Sequence, residues 1–415
     1  MQIIRYHKNS ESDEGSEAEK NYLGSDTENA SIYSGTRGWF IVSGGFMFWI
    51  FLFAGMLIFC IIGILYLSWI IGKFKLIRRI SKDKSKIRRF ISFISVMALY
   101  CLFTIFISMI DATVIILHLM LIAALYGIII RVAEKISKRS FKINWRGHLT
   151  FITTIVYLSI AYFLCNNVWR TQYDIKTDKL KENVKIALIT DSHLSTTLDG
   201  DEFEKYLNDI ACEKPDIILI SGDFVDDSTK KTDMVKACQA LGKMNPELGI
   251  FFVYGNHDKG YYNSRNFTVE ELKENLEKNN VRVLEDETVE LEGLIIVGRK
   301  DASDENRKSI ENLLKNLDKE KYKIVLDHQP NDFSNEAKAG ADLVLSGHTH
   351  GGQLLPITYF GELTGMNDKT YGYERRDNTD FIVSSGISDW AIHFKSGTKS
   401  EYVIIDLQNT GKIDH

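Results

Sequence analysis

Four long apolar runs fill residues 38–170, and shorter β-branched runs that end in polar clusters fill the rest of the chain. The first run, residues 39–72, holds no charge across 34 positions. That predicts one long tilted membrane helix, because two spans of about 20 residues each plus a turn would not fit. Residues 90–110 and 112–130 form the second and third runs, parted by a tight turn at Asp111, and residues 149–169 form the fourth. Trp39, Trp69, Trp145 and Trp169 cluster at the predicted ends, as in an interfacial aromatic belt. His118, inside the third run, has no carboxylate in reach and is expected to be hydrogen-bonded between helices rather than part of a proton relay. Asp111 lies at a loop and needs no special account. Residues 1–37 are polar and acidic and read as a disordered tail. No cleavable signal peptide is evident, since the first apolar run begins near Phe40 and is too long for one.

Residues 171–185 read as a short polar linker, and a domain is expected over 186–415. Strands are predicted at 184–190, 216–223, 250–258, 293–301, 323–330, 342–350, 381–386 and 401–407. Amphipathic stretches at 201–213, 229–243, 268–279 and 304–317 intervene. Continuous apolar strands alternating with helices indicate buried sheets covered by helices, an α/β class.

Charge divides the same two regions. The first 185 residues carry 24 Lys and Arg against 13 Asp and Glu, and the remainder carries 26 against 42. So acidic a domain is a poor partner for a phosphate-backbone polymer, and no nucleic acid is expected. Residues 73–89 hold nine basic residues against one acid, and 131–148 hold six, Arg131, Lys135, Lys138, Arg139, Lys142 and Arg146, against Glu134. By the positive-inside rule both loops are cytoplasmic, next to anionic lipid, and everything after Trp169 is extracytoplasmic in a multi-pass cell-membrane protein. Cys60, Cys101 and Cys165 lie in apolar runs, while Cys212 and Cys238 lack metal-site spacing; unpaired thiols are expected there, with a disulfide as the alternative.

The chemistry lies in what ends the strands. Five of them finish in Asp191-Ser192-His193, Gly222-Asp223-Phe224-Val225-Asp226, Gly255-Asn256-His257-Asp258, His328-Gln329-Pro330 and Gly347-His348-Thr349-His350. Ligands of α/β sheets gather beyond the carboxyl ends of strands, so these segments can converge on one site. Five of the ten histidines occupy these turns. Hydrolysing a phosphate ester brings a nucleophile up to an anion. Two divalent ions about 3.5–4 Å apart overcome the repulsion and supply a bridging hydroxide near neutral pH. A His, Asp and Asn set without Cys suits manganese, iron or zinc. Singly, Asp191 and Asp223 could cap helices and Asn256 could serve a turn.

Together, D-x-H, G-D-x-x-D, G-N-H-D, a His before Pro and G-H-x-H, in that order, resemble the calcineurin-like metallophosphoesterase superfamily over about residues 186–407. The run GHTHGGQ at 347–353 is similar to that of its bacterial membrane-associated branch. The resemblance implies a four-layer αββα sandwich of two mixed sheets flanked by helices, here preceded by a four-helix transmembrane region. It implies one metal held by Asp191, His193, Asp223 and His350 and a second by Asp223, Asn256, His328 and His348, with Asp223 bridging. His257 matches the catalytic histidine at the leaving oxygen. Asp226 and Asp258 would orient the ligands from behind. Arg299 is a candidate phosphate clamp, with a surface salt bridge as the equal alternative. His393 lies in a late loop that could approach the site. The first motif has Ser192 where relatives commonly carry an apolar residue, and Lys395 stands where they often carry Arg, which puts a bidentate contact there in doubt.

The expectation is a membrane-anchored, two-metal phosphoesterase with manganese as first candidate. Its partners would be membrane lipids and a phosphorylated small molecule or lipid head group. The rival is a non-catalytic membrane receptor or scaffold that uses the fold for binding; loss of a ligand or of His257 would be its mark, and none is missing. The Tyr-rich stretch 359–373 reads as a packed loop, with a lid or a lipid-facing rim as the alternative.

Overall fold

The computed structural model describes residues 54–141, 143–261 and 264–411. The expected tail at 1–37 and the first part of the first apolar run lie outside the described residues. Four helices among the described residues are long and apolar enough to cross a membrane. In chain order the helical region comprises α1 (Ala54–Ile71), a short α2 (Lys75–Ile80), α3 (Ser85–Phe106), α4 (Met109–Ser137) and α5 (Trp145–Asn166). Ser108 caps α4 by accepting from the Asp111 N–H at 2.9 Å. Polar pairs tie neighbouring helices where apolar packing against lipid gives no preference: Tyr100 with Thr113 at 3.2 Å, and Tyr126 with Thr153 at 2.8 Å.

The domain that follows runs β1 (Val168–Thr177), β2 (Val184–Ile189), α6 (Gly200–Cys212), β3 (Ile217–Ser221), α7 (Lys231–Leu241), β4 (Ile250–Val253), α8 (Val269–Lys278) and β5 (Val281–Leu284). It continues with β6 (Glu287–Glu290), β7 (Leu294–Gly298), α9 (Ile310–Leu314), β8 (Tyr322–Leu326), α10 (Phe333–Ala339), β9 (Leu343–Ser346), α11 (Phe360–Thr364), β10 (Gly372–Arg376), β11 (Thr379–Val383) and β12 (Ser400–Asn409). One sheet has the order β1-β12-β2-β3-β4-β5 and the other β10-β11-β9-β8-β7-β6. Both mix parallel and antiparallel pairs.

The period of two along each strand decides the layers. In β2, Ile186 and Leu188 join Leu219, Ile296 and Leu345 in an inner core shared by both sheets. Ala187 and Ile189 face the opposite way and pack with Phe203, Leu207 and Met234 of α6 and α7. On the second sheet Ile295, Val325 and Val344 turn outward to meet Ile310 of α9 and Phe333 of α10. The domain is therefore a four-layer αββα sandwich. Capping boxes at Asp199 with Glu202 and at Thr268 with Glu271 start α6 and α8 where expected.

Two readings are corrected. The stretch taken for a polar linker at 171–185 carries most of β1, which pairs in parallel with β12 from Val168 opposite Ser400 to Thr177 opposite Asn409. Asp111 is fully buried and is held by His393, not idle in a loop. The predicted helix at 304–317 shrinks to the five residues of α9, and the Tyr-rich stretch 359–373 holds α11 and the start of β10. No disulfide joins Cys212, which is exposed, to Cys238, which is buried.

Candidate metal centre

Strands β2, β3, β4, β8 and β9 end on one side of the sandwich, and the turns after them converge. Asp191, His193 and His350 bring one ligand atom each within 4.8 Å of the others, and so do Asp223, His328 and His348. Asp223 lies between the two groups. Its Oδ2 is 3.6 Å from His193 Nε2 and 3.0 Å from His328 Nε2. Asn256 Oδ1 sits 2.8 Å from His348 Nδ1, as a hydrogen-bond acceptor or as a neighbouring ligand on one small cation.

Backbone conformation shows what holds these groups. Asp191, His193, Asp223, His348 and His350 all have positive φ, at 51°, 34°, 53°, 69° and 48°. Each such residue costs about 1–3 kcal/mol and persists only where the surroundings enforce it, which happens at functional sites. Two glycines make the close approach possible. A Cβ at Gly255 would overlap the Asp223 carboxylate, and one at Gly347 would overlap Asp191 Oδ2.

Hydrogen bonds behind the cluster set the tautomers. His193 Nδ1 lies 3.3 Å from Asp226 Oδ2, and His328 Nδ1 donates to the Ser221 carbonyl at 2.8 Å. Both rings thus present Nε2 to the cluster. Asp258 is fully buried and accepts from the backbone N–H groups of Asp223, Val225 and Gly255 at 2.8, 3.0 and 2.7 Å. His257 donates its own backbone N–H to Asp223 Oδ1 at 2.8 Å. Its ring stands edge-on to His193 with centroids 5.1 Å apart.

Three buried atoms that face the cluster, Asp191 Oδ2, His193 Nε2 and His328 Nε2, have no aligned hydrogen-bond partner among the described residues. Buried polar atoms are normally satisfied, so their convergence fits a bound cation that would take their lone pairs. The electrostatics agree. Burial works against the charge of Asp223, yet His328 and His193 hold its pKa well below the usual carboxylate range. Burial opposes ionisation of Asp226, and His193 nevertheless pulls it down to about 2. Burial and then His328 push His348 down to about 4, leaving a neutral imidazole. Burial also lowers His257, against the pull of Asp223.

Of the residues expected from sequence, Asp191, His193, Asp223, Asn256, His257, His328, His348 and His350 are brought together, with Asp226 and Asp258 behind them. Arg299 is not. Its guanidinium is 3% exposed and spent on Asp327, Asp332 and Glu336 at 2.7, 2.9 and 3.1 Å. Neither the phosphate clamp nor the surface salt bridge describes it, because three carboxylates enclose it. His393 turns to Asp111 instead, donating its N–H to Oδ1 at 3.0 Å with Nδ1 2.8 Å from Oδ2. Lys395 is fully buried with Nζ 3.0 Å from Asp389 Oδ1.

Three residues escaped the sequence reading. Asp389 Oδ1 lies 3.3 Å from His350 Nδ1, and its other oxygen accepts from Cys165 Sγ at 3.0 Å. Trp390 and Tyr261, both exposed, place their rings 5.3 and 5.1 Å from that of His257. Asp389 follows the strand ending in FIVSSG, so the same rule that functional groups gather at strand ends points to it as well.

The calcineurin-like phosphoesterase family profile matches residues 184–352. A metallophosphoesterase of Aquifex aeolicus is 37% identical over 254 residues, which cover 58% of this chain and 92% of that protein. One of Campylobacter jejuni is 29% identical over 282 residues, 65% of this chain and 73% of its own length. A Danio rerio protein described as a transmembrane protein with metallophosphoesterase domain is 29% identical over 252 residues, 57% of this chain and 56% of that protein. With the Aquifex protein matched along nearly its whole length, the five strand-end motifs have a family: this chain belongs to the calcineurin-like metallophosphoesterases, metal-dependent hydrolases of phosphoric esters.

Proposed function

We propose that this chain is a membrane-anchored enzyme that hydrolyses a phosphate ester or pyrophosphate of a lipid-linked or envelope substrate. Asp191, His193, Asp223 and His350 would hold one divalent cation and Asp223, Asn256, His328 and His348 the second, with manganese the first candidate and iron or zinc next. The observation that carries this reading is Asp223, whose single Oδ2 stands between a histidine of each group. A bound cation pair supplies neutralisation of the phosphoryl oxygens and a water made acidic enough to react near neutral pH.

The protein's own groups do the rest. Asp226 and the Ser221 carbonyl fix His193 and His328 with Nε2 inward. Asp258 holds the turn that carries Asp223. Of the five strand-end histidines, His257 alone stands outside both ligand groups. Neutral through burial, its ring offers an N–H that would hydrogen-bond to the departing oxygen and stabilise its developing charge. Trp390 and Tyr261 flank it as the rim a leaving group would pass.

The two basic loops follow α1 and α4, at the ends away from the domain, so the positive-inside rule puts the domain on the extracytoplasmic side. The test is hydrolysis of paired chromogenic phosphate mono- and diesters by the full chain in detergent, with and without Mn²⁺. Cation-dependent turnover is expected. Asp223→Asn should abolish it, and His257→Ala should lower it about 10²–10³-fold, the usual worth of one hydrogen-bond donor at a developing oxyanion. A folded, cation-loaded chain inert toward both ester classes and toward phospholipid in mixed micelles would favour the receptor or scaffold reading.

A further inference from the structure

The segment after the GHTHGGQ run is tied into the helical region. Gln353 clamps two loops together: its Nε2 donates to the Phe394 carbonyl at 2.8 Å, and its own carbonyl accepts from Ser396 N at 2.9 Å. The joined loops then reach into the helical region. The Leu355 carbonyl lies 3.3 Å from His118 Nε2 of α4 and 3.4 Å from Tyr157 Oη of α5. Tyr157 also meets Ser396 Oγ at 2.6 Å, and Lys395 N donates to the Ala161 carbonyl at 2.9 Å.

Those anchors are deep. His118 is nine residues into α4 from Met109, and Tyr157 is nine residues before Asn166, where α5 hands over to β1. At about 1.5 Å per residue, each lies about 14 Å from the helix end that carries the domain. The helix ends above that level are themselves apolar and uncovered: Phe106 is 77% exposed, Met109 63% and Phe163 52%. Apolar surface of that extent on long apolar helices belongs in lipid. A loop anchored deeper than these residues meets the same lipid.

The composition of the segment fits that surrounding. Residues 354–366 contain one charge, Glu362, which turns back to accept from Thr370 N. Leu355, Ile357, Tyr359, Phe360, Leu363 and Met366 are all exposed, Leu363 at 85%. We propose that residues 354–366 form a bilayer-inserted segment, seated in the leaflet on the domain side and continuous with the lipid-facing surface of α4 and α5. Non-helical backbone is tolerated at such depth where protein satisfies it, and His118 and Tyr157 do so for Leu355. His350 precedes Leu355 by five residues, a reach of at most about 17 Å, so the inserted segment keeps the metal centre next to the lipid head-group layer.

The experiment is spin-label accessibility on the full chain in phospholipid nanodiscs, read without turnover and so independent of the phosphoesterase reading. Leu363→Cys and Ile357→Cys, both at exposed side chains, are labelled in a background where Cys101 and Cys212 are Ser, with that background alone as blank. Lys315→Cys, on the exposed side of the domain, is the aqueous reference. The proposal expects both loop labels to favour oxygen over a water-soluble nickel chelate at least about threefold more than Lys315→Cys does, because the polar chelate is excluded from hydrocarbon. Loop labels as open to the chelate as Lys315→Cys would overturn it. Loop labels shielded from oxygen and chelate alike would also overturn it, showing protein packed on the segment instead of lipid.

Discussion

The Asp258 carboxylate shows how a side chain that offers nothing to a cation can still fix a ligand. Its Oδ2 accepts from Asp223 N and Gly255 N and its Oδ1 from Val225 N, all in the buried turn behind the centre. Burial and the nearby charge of Asp223 push it up to about 7. An Asn satisfies one side of this arrangement and points an NH₂ at N–H donors on the other. With its oxygen turned to Asp223 N and Gly255 N, the amide leaves Val225 N facing an NH₂, so Asp258→Asn should cost about 1–3 kcal/mol and should loosen cation binding with it. Thermal unfolding and metal titration of the variant check both. A variant as stable as the parent would show that Asp258 does not hold the turn.

The pH dependence follows from His328 and His193. Burial disfavours their charge, but Asp223 beside His328, and Asp226 with Asp223 beside His193, hold both above the ordinary histidine value. A raised histidine pKa stabilises the cation-free fold below the unfolded value, about 6.5, and that stability fades as pH rises through the folded value. Cations need both rings neutral and so compete with these protons. The rise in Tm on adding Mn²⁺ should be larger at about pH 8 than at about pH 6. An equal or smaller rise at the higher pH would contradict the assignment of these histidines as ligands.

Among elements, the segment between β11 and β12 ties the helical region to the centre through Asp389. That carboxylate meets His350, Lys395 and Cys165 at once, with Lys395 fully buried. Removing one partner of a buried ion pair strands the other charge, typically at 3–5 kcal/mol. Asp389→Asn should destabilise by about that amount, and Asp389→Asn with Lys395→Met should recover most of it. The double variant should nonetheless bind cation about 10–100-fold more weakly than the parent, since His350 loses its orienting carboxylate. Full recovery of affinity along with stability would mean Asp389 acts only as the counter-ion of Lys395.

The same scale shows what the sequence could convey about the fold. Every strand it missed, β1, β5, β6 and β10, is the terminal strand of a sheet. Interior strands such as β3, buried at all five positions, read as continuous apolar runs. Terminal strands carry solvent on one side. Thus β1 reads VWRTQYDIKT and β10 reads GYERR, and both pass for linker or loop. The candidate ligands were legible because a motif places each at a strand end. Arg299, Asp111 and His393 were not, since their partners lie 28 to 282 residues away and only the packed chain shows which charges meet. A lipid-facing rim was one alternative for the Tyr-rich stretch, but the sequence favoured a packed loop for the same reason: nothing local distinguishes a loop facing lipid from one packed on protein.

At the scale of the whole molecule, the Asp111 turn and the domain share one end of the helices, and the basic loops at 73–89 and 131–148 lie at the other. If those loops are cytoplasmic, as proposed, a reporter joined after the C-terminus should be active only when it requires the extracytoplasmic compartment. Activity confined to a cytoplasmic reporter would reverse the orientation and leave the chemistry standing. The central claim is that five strand ends build one two-cation centre around Asp223. The most direct test is elemental analysis of the purified full chain after Mn²⁺ loading and removal of free metal, beside Asp223→Asn. Two equivalents per chain, falling below one in the variant while its far-ultraviolet dichroism stays unchanged, is the predicted result. A parent that retains no cation, or a variant that retains both, would contradict it.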